Sequence, residues 1–491
     1  MKKRNIVILG GGSAGWLTAL FAKTVLPTDN ITIIQSDEIG IIGVGEATTP
    51  HIVTFLQSIG IDPIDLLRFA NGSIKNGIHF ENWNGDGKSY FHSFTDTLVD
   101  FRIPNLFGTQ CHDQYTKQCI TKGIDLNESI YQTKLSYENK IDLENTNWAL
   151  HFDATLFSQY LQKIGIQRGI NIINDKVDDV ILENGKVKKL TLQNTQTTEV
   201  DFLFDCSGFA RKIIGNVYNQ KWISYSEYLP MKKGIPFWVE RTKHLNPYTS
   251  AIAMKYGWMW QIPLQNRIGS GYIFDSDYID EHQALQEAEI YYGQKLEIRK
   301  IIPFEAGRYE NFWVENCMAV GLSSSFIEPL ESTSLWLSVM QLELFRHYLD
   351  EIDNQFEESL NKFNEIVTAN MDEVLNFVYL HYITKRSDSE FWKNFNSNYK
   401  TPPKIERLMN KIKNNKLRIH DIIDSNVTAF FTMDSYLQVC EGLQMIDIYS
   451  DFSDYDRLIP PHNEYKLILN RAVNNSQLHN AFLEEIKNRN V

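Results

Sequence analysis

Lys75 and Glu331 are the residues of this sequence best suited by type and surroundings to place an electrophile or accept a proton. Lys75 stands among small and apolar residues (71–80), where a solvated lysine would usually have charged neighbours. Burial there would favour the neutral amine and make Lys75 a nucleophile or a directed hydrogen-bond donor. An ordinary surface lysine is the competing interpretation.

Glu331 is followed by three hydroxyl residues, Ser332, Thr333 and Ser334, just before a segment with helical periodicity. A carboxylate accepts protons, while hydroxyl and N–H donors at a helix entry suit an anion. The alternative is an ordinary N-cap, in which Ser332 or Thr333 caps the next helix. Taken alone, these residues do not connect Glu331 to Lys75.

An aromatic strand is the third chemically informative feature. Trp258 and Trp260 stand two residues apart in the segment 257–263, which ends in Pro263. Residues two apart on an extended segment point the same way, so both rings should lie on one face, and the proline fixes the exit of the chain. The pair is either a wall or part of an aromatic sheet core.

The elements that must position these residues begin with a dinucleotide-binding unit. An apolar strand (5–9) leads directly into Gly10, Gly12 and Gly15, and a helix is predicted over 16–25. This order brings backbone N–H groups and a helix N-terminus to one place, where they bind a pyrophosphate. A glycine-rich turn without a ligand is the alternative.

The end of the second predicted strand (30–35) normally carries an acid that accepts hydrogen bonds from the ribose hydroxyls. Here the strand ends in Gln35, whose amide oxygen can still accept such a bond. Asp37, two residues later, is an alternative acceptor.

The rest of the chain divides into a β-rich and a helical part. Residues 201–205 form an apolar strand that closes on a small-residue turn, as in flavin-binding folds with inserted segments. Residues 221–310 are predicted to be β-rich. Apolar residues recur at helical spacing over 335–349, and most of 355–445 continues that way.

Composition excludes several classes of function. The 491 residues, 43% hydrophobic and 22% charged, are typical of a soluble globular protein, and no apolar run is long enough to span a bilayer. The start of the chain is unlike a secretory signal, so we expect a cytoplasmic protein. A net charge of -13 argues against a nucleic-acid partner. No metal site is predicted, because the cysteines and histidines lack CxxC or HExxH spacing; those weighed are Cys111, Cys119, Cys206, Cys317, Cys440, His79, His92, His112 and His151.

Six features of the sequence follow one another in a characteristic order. They are residues 10–16, 43–50 (GVGEATTP), Lys75, 205–209 (DCSGF), 257–263 (GWMWQIP) and 329–333 (PLEST). This order is seen in flavin-dependent tryptophan halogenases, and the sequence resembles that family over most of its length. The WxWxIP segment is the most specific feature, since general flavin monooxygenases share the glycine loop but lack it.

The resemblance implies a halogenase that uses FAD, reduced by a separate flavin reductase, together with oxygen and chloride, bromide or iodide. Hypohalous acid then moves through an internal tunnel to an electron-rich aromatic molecule. Lys75 is similar to the lysine at the far end of the tunnel, which forms a haloamine or hydrogen-bonds the acid. Glu331 is similar to the glutamate that polarises the oxidant or takes the proton lost from the ring. Trp258, Trp260 and Pro263 become a wall between flavin and substrate.

The same resemblance assigns the remaining site residues. Those implied to bind FAD are Gly10, Gly12, Ser13, Ala14, Gly15, Gln35, Ala47, Leu322 and Leu335. Those implied to bind halide are Thr333 and Ser334, the latter replacing a glycine that is usual in the family. Those implied to line the substrate pocket are His92, Phe94 and Tyr436, the last standing where tryptophan-specific members tend to place a tryptophan. The substrate is tryptophan, another indole, a phenol or a pyrrole.

Two other functions compete with halogenation. A flavin-dependent aromatic monooxygenase would hydroxylate the ring without halide, but direct oxygen transfer needs the substrate beside the flavin. A flavoprotein that only binds or senses would require neither Lys75 nor Glu331.

We predict an α/β protein with a FAD-binding Rossmann-type fold like that of flavin monooxygenases. An FAD-binding module with an inserted β-rich substrate region spans 1–334, and a mainly helical layer on the substrate side spans 335–491. The expected partners are a small aromatic substrate and a reductase that delivers flavin by diffusion. A homo-oligomer is compatible with the sequence.

Overall fold

The computed structural model describes most of the chain. The described residues are 3–39, 45–94, 125–194, 197–413, 430–445 and 462–488. Gly43 and Val44 of the GVGEATTP motif, together with Cys111, His112 and Cys119, lie outside them.

The described residues form both strands and helices. The strands are β1 Asn5–Leu9, β2 Asn30–Gln35, β3 Gly45–Ala47, β4 Ser73–Lys75, β5 Gly77–Glu81, β6 Ser89–Ser93, β7 Lys140–Ile141, β8 Ala149–Asp153, β9 Asn171–Asn174, β10 Val177–Glu183, β11 Lys186–Leu192, β12 Thr198–Glu199, β13 Phe202–Asp205, β14 Trp222–Ser224, β15 Lys233–Val239, β16 Thr249–Met254, β17 Gly257–Pro263, β18 Ile268–Phe274, β19 Ile302–Pro303, β20 Gly307–Tyr309, β21 Trp313–Val314, β22 Cys317–Ala319, β23 Ser325–Phe326 and β24 Gln477–Leu478.

The helices follow the same numbering by chain order. They are α1 Ser13–Val25, α2 His51–Ser58, α3 Pro63–Phe69, α4 Leu126–Ser129, α5 Tyr131–Tyr137, α6 Ala154–Gln167, α7 Glu281–Tyr292, α8 Thr333–Phe345, α9 Glu351–Asn354, α10 Glu357–Leu380, α11 Glu390–Asn398, α12 Pro403–Lys413, α13 Met433–Gly442, α14 His462–Asn475 and α15 His479–Lys487. Short 3₁₀ turns lie at Gly208–Ala210, Gly321–Ser323, Pro329–Glu331 and Arg346–Tyr348.

The dinucleotide-type unit is built on a six-stranded sheet in the order β21-β22-β13-β1-β2-β9. Strands β22, β13, β1, β2 and β9 run parallel to one another, as expected for a sheet covered on both faces, and the edge strand β21 is antiparallel to β22. The predicted strands β1 and β2 are confirmed at their predicted bounds. Helix α1 begins three residues earlier than predicted, because the chain enters helical geometry directly after the extended Gly12.

A second sheet of seven strands carries the aromatic segment, in the order β19-β15-β18-β17-β16-β5-β6. It is antiparallel apart from the β16–β5 pair. Within this predicted β-rich region the sequence analysis missed helix α7, which starts at a capping box formed by Asp280 and Gln283. Ala284 and Ala288 of the helix pack into the core on one face of the sheet.

A small three-stranded sheet, β3-β8-β4, joins these two units. Its central strand β8 pairs with β3 on one side and with β4 on the other, so that His151 has Ala47 and Ser73 as neighbours. Strand β4 ends at Lys75, and only Asn76 separates it from β5 of the seven-stranded sheet. Lys75 therefore lies where the chain passes from one sheet to the next.

Beyond Ser332 the described chain is almost entirely helical, as predicted from its periodicity. Helices α8 and α10 contribute to the largest hydrophobic cluster together with β1, α1 and β17. The helical layer and the sheets therefore share one core across residue 334. Among the described residues, none of the helices is long and apolar enough to cross a membrane.

Candidate active site

The glycine loop (residues 10–15) leaves room for a ligand at the N-terminus of α1. A Cβ atom on Gly10, which has φ of +119°, would lie 2.2 Å from the Cys206 carbonyl oxygen, so only glycine fits against that turn. A Cβ on Gly12 would meet no atom within 4 Å. Gly12 is the N-cap of α1, and no side chain caps the first N–H groups of the helix. This arrangement fits the pyrophosphate of FAD.

The turn that follows β13 supports the glycine loop from behind. The Asp205 carboxylate accepts hydrogen bonds from the backbone N–H groups of Ser207, Ile213 and Ile214 and from the Ser207 hydroxyl. Cys206 thereby keeps its carbonyl against Gly10, and Gly15 packs against the Gly10 carbonyl. The role of Asp205 is thus to order this turn.

Gln35 lies at the edge of the same cleft, at the end of β2. Its Oε1 atom accepts a hydrogen bond of 3.2 Å from Trp16 Nε1 and lies against Gly11. Asp37 accepts a hydrogen bond from the Asn174 side chain and is exposed. A contact between Gln35 and the ribose stays a prediction. In that contact the amide oxygen would accept a second hydrogen bond besides the one from Trp16.

The other residues assigned to FAD come from three separate elements. Ser13 and Ala14 open α1, and Ala14 contacts Gly321 beside Leu322 in the Gly321–Ser323 turn. Leu335 lies in the first turn of α8 and belongs to the largest core cluster. Ala47 ends β3, which packs against β17 and β18. The turn at Leu322 is therefore close to the glycine loop, whereas Ala47 lies towards the aromatic strand.

Lys75 is fully buried, which removes the surface-lysine interpretation. Its Nζ atom donates to the Thr48 carbonyl at 2.9 Å and to Ser332 Oγ at 2.7 Å, and lies 5.1 Å from the centre of the Phe94 ring. Burial lowers the pKa of Lys75 to about 7, and the negative charge of Glu331 opposes that shift only in part. A neutral amine has two N–H donors, which these two acceptors satisfy, so its lone pair remains available.

Glu331 is also fully buried but is surrounded by imidazoles. His92 Nδ1 lies 3.1 and 3.0 Å from its two oxygens. His381 Nε2 lies 2.8 Å from Oε1, although its angle is not that of a directed hydrogen bond. Burial alone would raise the pKa of Glu331, but the two histidines outweigh it and lower the pKa to about 2. Glu331 is therefore a carboxylate throughout the physiological range.

Two local structures bring Lys75 and Glu331 together. Thr48 is held on β8 by hydrogen bonds between its hydroxyl and Leu150, which fixes the carbonyl that Lys75 contacts. Ser332 follows Glu331 directly and takes the left-handed conformation, with φ of +57°. We call the residues that meet here the lysine–glutamate cluster; they are Thr48, Lys75, His92, Glu331, Ser332 and His381. No ion pair joins Lys75 to Glu331 directly, and Ser332 links them.

The N-terminus of α8 lies next to this cluster and carries Thr333 and Ser334. Ser332 is the N-cap residue but makes no side-chain cap, because its hydroxyl faces Lys75. The alternative of an ordinary Ser332 cap is therefore wrong. The Thr333 hydroxyl is buried without a hydrogen-bond partner, and Ser334 is half-buried. Unpaired donors at a helix N-terminus suit an anion.

The aromatic strand β17 has the predicted alternation. Trp258 and Trp260 lie on one face with ring centres 6.4 Å apart, while Met259 packs into the core on the other face. Trp258 is buried and Trp260 half-buried. The Pro263 carbonyl accepts a hydrogen bond from Ser73 Oγ, two residues before Lys75. The strand is therefore attached to the element that carries Lys75.

Two of the three residues assigned to the substrate pocket reach the lysine–glutamate cluster. His92, on β6, contacts Glu331, and Phe94 lies over Lys75. Tyr436 is fully buried, donates to Glu373 Oε1 at 2.7 Å, and is not brought to the cluster. The Phe377 ring lies between Tyr436 and the cluster, and its centre is 5.0 Å from that of the Tyr436 ring and 5.4 Å from that of the His92 ring.

Sequence reasoning missed several members of this site. Thr48 stood inside the GVGEATTP motif but received no role, and Ser332 was considered only as an anion-binding hydroxyl or an N-cap. The hydrogen bonds of both residues to Lys75 could not be read from spacing. His381 carried no local signal, because it follows a long amphipathic helix whose other residues explain its pattern. Glu328, a buried glutamate that accepts a hydrogen bond from Trp258 Nε1 at 3.0 Å, stands just before the PLEST motif and received no assignment.

Comparison with known proteins identifies relatives along almost the whole chain. The family model described as tryptophan halogenase matches residues 5–453. The chain is 30% identical over 420 residues to tryptophan 7-halogenase RebH of Lentzea aerocolonigenes, covering 79% of this chain and 78% of RebH.

Solved structures agree with that match. BrvH, a flavin-dependent halogenase from Brevundimonas sp. BAL3, superposes with a TM-score of 0.87 at 28% identity, over 99% of both chains. Xcc4156, a flavin-dependent halogenase from Xanthomonas campestris, superposes with a TM-score of 0.88 at 26% identity, again over 99% of both chains.

Proposed function

The chain belongs to the tryptophan halogenase family and is a flavin-dependent halogenase, and from this premise we propose how its residues halogenate an electron-rich aromatic molecule. One observation carries the proposal. Lys75 and Glu331 are both fully buried and are linked through Ser332, beside a strand that presents two tryptophans on one face. A protein that only binds flavin would need no such buried pair.

FAD is the cofactor that the family implies, and the open space at Gly12 supports its pyrophosphate there. When bound in its reduced form, FAD would supply the two electrons that reduce oxygen to the peroxide level, at which it can oxidise halide to hypohalous acid with release of water. A separate flavin reductase would deliver it in that form. The chain's own contribution on this side is to hold the pyrophosphate with the backbone of Gly10, Gly12 and Ser13.

Halide would bind at the N-terminus of α8, next to Thr333 and Ser334. The unpaired Thr333 hydroxyl and the uncapped N–H groups of the helix support this position. Ser334 adds a side chain where the family usually has glycine, so the pocket offers one more hydroxyl and less space.

Lys75 would hold the electrophilic halogen in the next step. Its two acceptors, Thr48 and Ser332, fix the direction in which the amine lone pair points. Near pH 7 both protonation states are populated, so Nζ can either accept the halogen or donate a hydrogen bond to the acid. Precise placement of this kind raises the rate by making the attack intramolecular.

Glu331 would stabilise the positive charge that develops on the ring and then take its proton. Its carboxylate stays ionised because His92 and His381 flank it. Transfer of the proton beyond Glu331 needs a neighbouring acceptor, and both imidazoles are in contact with the carboxylate. His381 is further joined to Tyr90 through a contact of 2.9 Å.

The substrate would be tryptophan or another indole, with phenols and pyrroles as further candidates. RebH is named for tryptophan, whereas the names of BrvH and Xcc4156 specify no substrate. Phe94 and His92 offer rings beside Lys75 and Glu331 on which an aromatic molecule can stack. From the segment around Tyr436, the Phe431 ring approaches His92, with the two ring centres 6.4 Å apart.

A halide-dependence assay tests this function directly. The purified chain is supplied with FAD, a flavin reductase, and chloride or bromide, and a panel of indoles, phenols and pyrroles is analysed by mass spectrometry. We expect a monohalogenated product that follows the halide supplied and disappears when halide or reductase is omitted. A hydroxylated product that forms equally well without halide would contradict halogenation and favour the monooxygenase.

A further inference from the structure

Glu328 stands at the junction of the aromatic strand, the turn that carries Glu331, and the end of α10. It is fully buried, and it precedes the Pro329–Glu331 turn as its N-cap residue. Its Oε1 atom accepts hydrogen bonds from Trp258 Nε1, at 3.0 Å, and from the Tyr382 hydroxyl. One oxygen therefore ties β17 to the helical layer.

Two neighbouring residues after α10 contact the two glutamates. His381 and Tyr382 are consecutive, and they contact Glu331 and Glu328 respectively. The two glutamates are three residues apart on one short turn. Because Glu328 and Glu331 share this turn, a displacement of Glu328 would also move Glu331 relative to His381.

The two carboxyl groups differ in their partners. Glu331 has two imidazoles, whereas Glu328 has a neutral indole and a neutral phenol, and its Oε2 atom is buried without a partner. Burial raises the pKa of Glu328 to about 7, only partly opposed by its two donors. A carboxylic acid tolerates this setting far better than a carboxylate, since an isolated buried charge is very costly.

We propose that Glu328 is a positioning residue that holds Trp258 in place against the turn of Glu331, so that hypohalous acid reaches Lys75 rather than escaping past the tryptophan wall. This inference rests on the proposed halogenase function. Glu328 itself does not touch the reacting atoms: it acts through Trp258 and through the turn it shares with Glu331.

The first test needs no turnover and no bound flavin. The indole N–H resonance of Trp258 is followed by NMR in protein labelled at the tryptophan indole nitrogen, and is assigned with Trp258→Phe. We expect it to shift with pH with a midpoint of about 7 in the parent protein and to stop titrating in Glu328→Gln. The titratable group that contacts Glu328 is Tyr382. Glu331, with its partners His381 and His92, lies at the other end of the turn. A resonance that Glu328→Leu leaves unchanged would overturn the proposal.

The second test measures where the oxidant goes. Halogenated product and hypohalous acid captured by a β-diketone scavenger are quantified per reduced FAD consumed. Glu328→Gln keeps a carbonyl acceptor and should stay within about twofold of the parent ratio, whereas Glu328→Leu should lower the ratio of product to captured acid by about fivefold or more. The rate of FAD consumption should stay within about twofold in both variants.

Three outcomes would overturn the positioning role. The first is an unchanged ratio of product to captured acid in Glu328→Leu, and the second is an equal fall of that ratio in Glu328→Gln and Glu328→Leu. The third is a fall that is fully explained by weaker binding of FAD. If Glu328→Leu fails to fold, Trp258→Phe removes the same hydrogen bond from the other partner and must itself lower the ratio. A parent protein that makes no halogenated product would refute the proposed function. The NMR titration would still decide whether Glu328 holds Trp258.

Discussion

The glycine loop and the lysine–glutamate cluster differ in how they are built and in which groups they use. The glycine loop is continuous in sequence, and it works through backbone groups and the absence of side chains at Gly10 and Gly12. The cluster is assembled from distant segments, and it works through buried side chains whose charges are set by their neighbours. A ligand cradle can therefore be local, whereas a tuned pair of catalytic groups depends on the whole fold.

The largest expected effect on ligand binding lies on the glycine side. Gly12→Ala should lower FAD affinity by about 100-fold, because the added Cβ would occupy the space left for the pyrophosphate. Thermal unfolding of the flavin-free protein should not change, since that Cβ meets no protein atom within 4 Å. Equilibrium titration with FAD and calorimetry measure the two quantities.

Gly10→Ala is the matched control for that substitution. Unlike Gly12→Ala, it should destabilise the flavin-free protein, because its Cβ would clash with the Cys206 carbonyl. Wild-type FAD affinity in Gly12→Ala would break the comparison, since the loop would then not be the cradle.

In the cluster, Glu331→Gln should lower the halogenation rate by about 10- to 100-fold while FAD affinity stays the same. The amide keeps the shape of the side chain but cannot carry the charge or take the ring proton. Rapid-quench analysis of halogenated product measures this. Glu343→Gln, at a partly exposed ion pair with Arg346, is a control that should have no effect. An unchanged rate in Glu331→Gln would remove its role.

The pH dependence of halogenation should report Lys75. With a pKa of about 7, its neutral amine forms as pH rises, so the rate should increase by up to about tenfold per pH unit below 7 and level off above it. Single-turnover product formation at saturating FAD, from pH 5.5 to 9, measures this. A rate that falls across the same range would favour the ammonium as hydrogen-bond donor instead.

The same depressed pKa has a consequence for stability. Because the unfolded lysine keeps its ordinary pKa of 10.5, the folded state loses stability as pH falls from there through about 7, and little more below that. Lys75→Met should remove this part of the pH dependence, which denaturant unfolding at several pH values measures.

The smallest expected effect sharpens the boundary of the cluster. Tyr436→Phe should cost about 1–2 kcal/mol of unfolding free energy, because it removes the hydrogen bond to Glu373. The identity of the halogenated product should not change, since Phe377 separates Tyr436 from His92. A shift in the ring position halogenated would instead return Tyr436 to the substrate pocket.

The contrast between the two regions also explains what the sequence could reveal. The order of strand, glycine turn and helix predicts the dinucleotide unit from local chemistry, and the bounds of β1 and β2 were correct. The alternation in β17 likewise predicted that Trp258 and Trp260 share a face.

The lysine–glutamate cluster could not be derived in this way. Lys75 and Glu331 were connected only through a family resemblance, because their meeting depends on the pairing of β3 and β4 with β8 and on the left-handed Ser332. The partners that they contact, Thr48 and His381, have no signature in spacing. Tertiary contacts between distant segments are not encoded in any local period.

The most direct test of the account follows reduced FAD and halogenated product in the same reaction with Lys75→Ala. The flavin side and the cluster are separate sites, so the variant should bind FAD and consume reduced FAD at the parent rate, and a scavenger should capture the hypohalous acid that Lys75 no longer holds. Halogenated product should be abolished. Parent-level product from Lys75→Ala, or loss of FAD consumption together with product, would contradict the account.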